Sequence, residues 1–277
     1  MKHEHHKMPG SALPRGLKTR LWNCRPHRAT PDPDRPYYFA RWQDNLISGV
    51  DPEWVAAQLR GGSGQELAGK FRAIHSSSAL AANTFGFFKG REDLLTVVGH
   101  RDFTSVQLER KCPTGLRGTP PNLDVFLEAC PSILAIESKF LEYLSPKRPH
   151  FSEAYDRERF PAAEDPWWEY VEQAKAGDLP ARELDVAQLV KHYLGLINLH
   201  DASERPVTLL YLFWEPQNWR GVQPFEKHRQ QVADFAERVG HTSVTFRYLS
   251  YPDLWSQWDT VPALTEHVAA LRARYGI

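Results

Sequence analysis

The strongest constraint on the fold is an uninterrupted apolar run late in the chain. Residues 207–214 read VTLLYLFW and contain no charged side chain. A run of this length is too short to cross a membrane, and it is typical of a strand that other elements cover on both faces. Apolar side chains recur at helical spacing from Leu184 to Leu199 before it and from Phe225 to Val239 after it. We therefore predict the central strand of a layered α/β sheet.

Three shorter β-type segments come earlier and lie close together. They are Ser105 to Glu109, Asn122 to Glu128 and Ser132 to Phe140, and another strand is predicted from Val244 to Tyr248. Helices, three strands, helix and strand then follow one another as an αβββαβ core inside a mixed sheet flanked by helices. Further helices are predicted from the N-cap Asp51, from Ser78 to Phe88, and from Pro262 to Tyr275.

The N-terminal part of the chain differs in composition from the rest. Residues 1–36 are rich in Pro, Arg and His, which predicts an irregular arm. We divide the chain into an irregular basic extension, residues 1–50, and a single α/β domain, residues 51–277. The extension carries nine Lys and Arg against four Asp and Glu, whereas residues 151–200 carry five against ten. A basic arm is compatible with phosphate contacts, and it is equally ordinary for a solvated tail.

Composition excludes several classes of protein. Lys and Arg total 34 and so do Asp and Glu, so the whole chain is not a general binder of polyanions. Three cysteines without a CxxC spacing fit neither a disulfide framework nor a zinc ribbon. The first residues are polar and unlike a signal peptide, and no apolar run approaches the ~20 residues of a membrane span. We expect a reduced, soluble, cytoplasmic protein with no membrane partner.

Three charged residues carry the most informative pattern. Side chains alternate along a strand, so Glu137 and Lys139 project from the same face, where apolar residues precede them. Asp124 reaches the same place if its strand pairs with the next one around residues 129–131. Charged groups at such a point need partners, because burial without them is costly. The sequence therefore predicts a cluster of two carboxylates and one ammonium.

This set of side chains suits a hard cation. Two carboxylates with an open coordination sphere fit Mg²⁺, which keeps several of its waters. An adjacent ammonium can orient a metal-bound water or stabilise charge that develops on a phosphate. The plainer alternative is a salt bridge between Glu137 and Lys139, with Asp124 remote from both.

The pattern Asp124…Glu137-Ser138-Lys139 on consecutive strands resembles the metal centre of the PD-(D/E)xK nuclease superfamily, which has the restriction-endonuclease-like fold. The wider stretch, roughly residues 66–215, is similar to a bacterial branch of restriction-endonuclease-like proteins. One departure is Leu123, which stands where the superfamily's name has proline. The segments that carry the resemblance are HSSSAL at 75–80, NTF at 83–85, GTPPNLD at 118–124 and IESKF at 136–140.

The resemblance implies a role for each matched residue. Asp124 and Glu137 would hold Mg²⁺, or Mn²⁺ as a substitute, and the backbone carbonyl of Ser138 would be a further ligand. Lys139 would position the attacking water. The implied function is metal-dependent hydrolysis of phosphodiester bonds in DNA, with a homodimer favoured if both strands are cut together. The alternative is a catalytically inactive nuclease-fold protein that binds nucleic acid or a partner.

The resemblance also points to positions outside the three-residue pattern. The superfamily often adds an upstream carboxylate, for which Glu109 is the candidate with Glu66 behind it. Gln188 and His192 lie four apart on one helical face, where some members place a polar pair near the scissile phosphate. Five basic residues flank the pattern and could either guide a phosphate backbone or form a solvated rim. They are Arg110, Lys111, Arg117, Lys147 and Arg148.

Overall fold

The structure, a computed structural model, describes residues 12–60 and 66–277. Its centre is a five-stranded sheet in the spatial order β1-β2-β3-β4-β5. The first three strands pair antiparallel, whereas β4 and β5 continue the sheet in parallel from β3. The parallel half follows from its connections, because helices return the chain to the same end of the sheet. The strands are Phe103–Lys111 (β1), Asn122–Ala129 (β2), Ile133–Lys139 (β3), Val207–Phe213 (β4) and Val244–Ser250 (β5).

Helices cover both faces of this sheet and bury an apolar core on each. One core joins the sheet to α1–α3, α7 and α8, and the other joins it to α4–α6. The helices are Ala12–Asn23 (α1), Pro52–Arg60 (α2), Ser77–Phe85 (α3), Asp165–Ala176 (α4), Val186–Ser203 (α5), Gln223–Val239 (α6), Tyr251–Trp258 (α7) and Thr265–Tyr275 (α8).

The position of β4 between β3 and β5, with helices on both faces, explains why its sequence is apolar throughout. All seven of its residues are buried. Leu210 and Leu212 belong to the core under α1–α3, whereas Leu209 and Phe213 belong to the core under α4–α6. Both faces thus exclude water, as the uninterrupted apolar run predicted. The αβββαβ order and the mixed α/β sheet flanked by helices are confirmed.

The prediction of an irregular N-terminal arm over residues 1–36 is wrong for residues 12–23. Residues Ala12–Asn23 form a helix in which Leu17 and Leu21, four residues apart, are buried. Both leucines belong to the core that the sheet shares with α2, α3, α7 and α8. Phe39 and Leu46 join the same core. Pro14 lies in the first turn of this helix, where proline is tolerated. The proline content of the segment therefore did not exclude a helix. Residues 1–11 of the predicted extension lie outside the described residues, and the boundary at residue 50 stays a prediction.

Two other helices were not predicted. The acidic, Trp-rich stretch forms α4, and Ser250 caps α7 directly after β5 by accepting a hydrogen bond from Asp253 N. Within the described parts of the chain, no helix has both the length and the apolar character needed to cross a bilayer.

Candidate active site

Asp124 and Glu137 meet at the junction of β2 and β3. Val125 pairs with Ile136, so the next step along the two antiparallel strands brings Asp124 opposite Glu137. This is the strand pairing that the sequence pattern required. The backbone N–H of Ser138 donates a 2.7 Å hydrogen bond to Oδ2 of Asp124. The alternative with Asp124 remote from Glu137 is therefore wrong.

Glu137 is a buried carboxylate held by two donors. Its side chain is only 2% exposed. Lys139 Nζ lies 2.5 Å from Oε1, and His192 Nε2 lies 2.7 Å from Oε2. Burial alone would raise the pKa of Glu137, but the neighbouring Lys139 and His192 outweigh it and lower that pKa to about 2. Glu137 is thus a permanent anion whose two oxygens point to different neighbours.

Asp124 has the opposite electrostatic environment, although it lies one strand away. Burial raises its pKa well above the ordinary value, and the negative charges of Glu137 and Glu109 raise it further. Lys139 and the N–H of Ser138 oppose this shift without cancelling it. Among the described residues, that N–H is the one hydrogen-bond donor to the carboxylate, so Oδ1 has no donor. The positive charge around Asp124 is therefore too small to offset burial and the neighbouring carboxylates.

Glu109 on β1 lies in line with Asp124 and Glu137. These three side chains form a row of carboxylates across β1, β2 and β3. The neighbours of Glu109 on β1 pair with the neighbours of Asp124, so Glu109 faces Asp124 from the other side. The backbone of Glu109 is left-handed, with φ of 53°, which is rare for a residue other than glycine and is common near functional sites. Burial, Glu66 and Glu137 raise the pKa of Glu109 to about 7.

A serine joins Glu109 to the second upstream candidate. Ser78 Oγ, in the second position of α3, lies 3.2 Å from Glu66 Oε1 and 3.3 Å from Glu109 Oε1. Asn122 Nδ2 also donates to Glu109 at 3.3 Å. The structure thus brings both upstream carboxylates to the row, where sequence reasoning chose between them. Ser78 and Asn122 were missed as contacts, although both belong to segments that carry the family resemblance.

Helix α5 supplies the polar groups that contact the Glu137 and Lys139 side chains. Asp185 caps the helix by accepting a hydrogen bond from Gln188 N at 3.1 Å. One turn apart on the same face, Gln188 Oε1 accepts a 2.5 Å bond from Lys139 Nζ and His192 bonds Glu137. These two side chains therefore contact the predicted site residues themselves, which the sequence analysis did not foresee.

Ser138 separates the two faces of β3. Its backbone N–H donates to the carboxylate of Asp124, whereas its hydroxyl lies 2.6 Å from the hydroxyl of Tyr251 on α7. The side chain thus fixes the strand to the opposite layer of helices. The backbone carbonyl of Ser138 as a metal ligand stays a prediction.

The five flanking basic residues differ in their surroundings. The guanidinium of Arg110 lies 4.3 Å from the ring centre of Phe126 and donates to Gln107 at 2.8 Å. Lys147 pairs with Asp185 at 3.3 Å across an exposed contact. Lys111, Arg117 and Arg148 are exposed.

The carboxylates do not form a ready-made ligand cage. Across residues 12–60 and 66–277, no group of three or more His, Cys, Asp and Glu side chains is arranged to hold a metal ion. Glu109 and Asp124 are nevertheless only partly buried, so the row is open to solvent on that side. A cation that retains waters could complete its coordination there.

A comparison with known protein families gives a match to most of the chain. A family model described as "Restriction Endonuclease associating with ARP" matches residues 22–276. No curated protein and no solved structure matches the chain.

Proposed function

Because the chain belongs to the family of restriction endonucleases associating with ARP, we propose that it is a metal-dependent deoxyribonuclease that hydrolyses phosphodiester bonds. Family membership confirms the expected kinship with restriction-endonuclease-like proteins. One observation carries the proposed reaction. Asp124 lies beside the Glu137-Ser138-Lys139 segment, with its carboxylate 2.7 Å from the Ser138 nitrogen.

The donor set fits a divalent cation. Asp124 and Glu137 offer hard oxygen ligands, and Asp124 Oδ1 has no donor among the described residues. Three carboxylates on adjacent strands face one ammonium, that of Lys139, so a bound dication would relieve their mutual repulsion. We assign Asp124, Glu137 and the Ser138 carbonyl as ligands, with Mg²⁺ as the ion and Mn²⁺ as a substitute. When bound, the ion would lower the pKa of a water and stabilise charge on the phosphate.

The protein's own groups have distinct roles in this proposal. Lys139 lies between Glu137 Oε1 and Gln188 Oε1, at 2.5 Å from each, so its ammonium is fixed at the edge of the carboxylate row. We assign it to orient the attacking water and to stabilise negative charge that develops on the phosphate. Gln188 positions Lys139. Glu109, whose pKa lies near 7, is the candidate to accept or hold a proton beside Asp124.

DNA would approach from the side of α1. Residues 12–31 contain five Lys and Arg and no Asp or Glu. Within the described chain, none of the five forms an ion pair, which leaves their charge for phosphates. Together with burial, Lys18 lowers the pKa of His75 to about 4, so α1 lies near the segment that enters α3 and carries Ser78 to the carboxylates. The family description adds an association with ARP.

The decisive experiment is cleavage of supercoiled and linear DNA by wild type and Glu137→Ala, with Mg²⁺, Mn²⁺ or EDTA. We expect nicking or cutting that needs the metal and is lost in the variant. Equal cleavage by both proteins would place the activity elsewhere and contradict the proposal.

One observation favours a second candidate, a nuclease-fold protein that binds DNA or a partner without cutting. Both oxygens of Glu137 are already bonded, one to Lys139 and one to His192. A carboxylate that kept both bonds would contribute less to a metal. Absence of metal binding, together with intact DNA binding, would favour this candidate.

A further inference from the structure

His192 is the most deeply buried polar side chain at the site. It is fully buried, and its Nε2 lies 2.7 Å from Oε2 of Glu137. Because an ionised carboxylate only accepts hydrogen bonds, Nε2 carries the proton that is donated. Within the described residues, the other ring nitrogen, Nδ1, is buried without any hydrogen-bond partner. The bond to Glu137 is therefore the one polar contact that the ring makes there.

The position of His192 is set by the packing of α5 and not by the ring itself. Leu189 and Leu196, one turn away on either side, are fully buried. Gly195 lets the helix approach the end of β1 so closely that an added Cβ would lie 2.5 Å from the carbonyl oxygen of Cys112. A donor carried on such a tightly packed helix has little freedom to move. The fixed ring of His192 therefore orients the carboxylate of Glu137.

The two donors to Glu137 divide its oxygens between them. Lys139 holds Oε1 from the same strand, through a long flexible side chain that also contacts Gln188. His192 holds Oε2 from a different element, so the two bonds together fix the plane of the carboxylate. Donors behind a ligating carboxylate typically set its orientation and its basicity.

From this geometry we propose that His192 is a positioning residue, which holds the Glu137 carboxylate in the orientation that binds the divalent cation. The inference rests on the proposed function, because it assumes that Glu137 is a ligand. It differs from the role near the scissile phosphate that the sequence suggested for the Gln188 and His192 pair. His192 would contact neither DNA nor metal, and its effect would reach both through Glu137.

The chain provides a matched control for the loss of a buried histidine. His267 on α8 is also buried, bonds through Nε2 to one acceptor at 3.1 Å, and has Nδ1 without a partner among the described residues. Its acceptor is the backbone carbonyl of Thr84, so it does not contact the carboxylate row. Replacing it tests the cost of removing such a ring without disturbing Glu137.

The test measures Mn²⁺ affinity by titration calorimetry, and Mg²⁺-dependent DNA cleavage, for the full chain well below its melting temperature. We expect His192→Leu to weaken Mn²⁺ binding about 10- to 100-fold and to shift cleavage to higher Mg²⁺. His192→Gln, whose amide can replace the Nε2 donor, should recover most of that affinity, and His267→Leu should keep wild-type affinity. If His192→Leu does not fold, His192→Asn replaces it, because its shorter amide cannot make the bond.

Two other results have separate meanings. Wild-type Mn²⁺ affinity in a folded His192→Leu or His192→Asn protein would overturn the positioning role while leaving the nuclease proposal intact. A wild-type protein that neither binds Mn²⁺ nor cuts DNA would overturn the nuclease proposal and the positioning role together.

Discussion

One row of residues crosses the whole sheet, and its two halves differ sharply. On the antiparallel half the row consists of Glu109, Asp124 and Glu137, three carboxylates on three strands. On the parallel half the same row continues with Tyr211 and Tyr248. Tyr211 on β4 is buried and Tyr248 on the edge strand β5 is 39% exposed, whereas Glu109 and Asp124 on the antiparallel half are partly buried. The two halves therefore differ in charge, because the row carries three carboxylates on the antiparallel half and two phenol hydroxyls on the parallel half.

The buried polar groups of the two halves are satisfied in different ways. Tyr211 is neutral and needs one partner, His228, whose Nε2 lies 2.8 Å from its hydroxyl. Glu137 is ionised and needs both Lys139 and His192. Removing a partner should thus be far more costly on the carboxylate half, because an unpaired buried charge is worse than an unpaired hydroxyl.

The largest expected effect comes from Lys139→Met. It leaves the Glu137 carboxylate buried without its cation, and we expect a loss of about 3–5 kcal/mol in the free energy of unfolding. Tyr211→Phe breaks the bond between Tyr211 and His228 without leaving a charge unpaired, and it should cost about 1 kcal/mol. Urea unfolding of the two variants at pH 7 measures both values. Similar losses would mean that the two halves are not electrostatically different.

The next effect is a pH dependence that originates in Glu109. Its pKa is about 7 in the folded protein against an ordinary value of 4.5, so the folded state binds its proton more tightly than the unfolded state. Glu109 therefore destabilises the fold progressively as pH rises from about 4.5 to 7, by an amount on the order of 3 kcal/mol. Glu109→Gln should flatten the decline in unfolding free energy across that window.

Unfolding series at several pH values from 4.5 to 7.5 check this expectation, with wild type and variant measured side by side. The flattening should be incomplete, because the pKa of Asp124 is also raised and adds to the decline. An identical pH profile for both proteins would show that Glu109 is not held in the protonated form.

Much of this comparison follows from sequence patterns that act locally. The apolar run predicted β4, and the spacing of Asp124 from Glu137 predicted their pairing across β2 and β3 because a hairpin register depends on few residues. The contacts of Gln188 and His192 could not be predicted from the sequence, because they depend on how α5 is rotated against β3. The meeting of Glu66, Ser78 and Glu109 likewise depends on tertiary packing. Helix α1 was missed because proline and arginine content outweighed the four-residue spacing of Leu17 and Leu21.

The smallest expected effect concerns DNA binding. Arg15→Gln with Arg20→Gln removes two exposed charges from α1, and we expect weaker DNA binding and a salt slope lower by up to about 2. The control removes two charges elsewhere, at Arg159 and Lys175, in the acidic segment of residues 151–200. Binding of a labelled duplex in Ca²⁺ at several salt concentrations measures both. An equal slope for the two double variants would rule out α1 as the DNA-facing side.

The most direct test of the central claim is to locate Mn²⁺ by anomalous scattering in crystals soaked in MnCl₂. We expect a peak at the three carboxylates of the row, with oxygens of both Asp124 and Glu137 as ligands. The same soak of Asp124→Asn crystals should give a weaker peak or none. A wild-type crystal with no manganese at the row, or with manganese held by other residues, would contradict the assignment of this site.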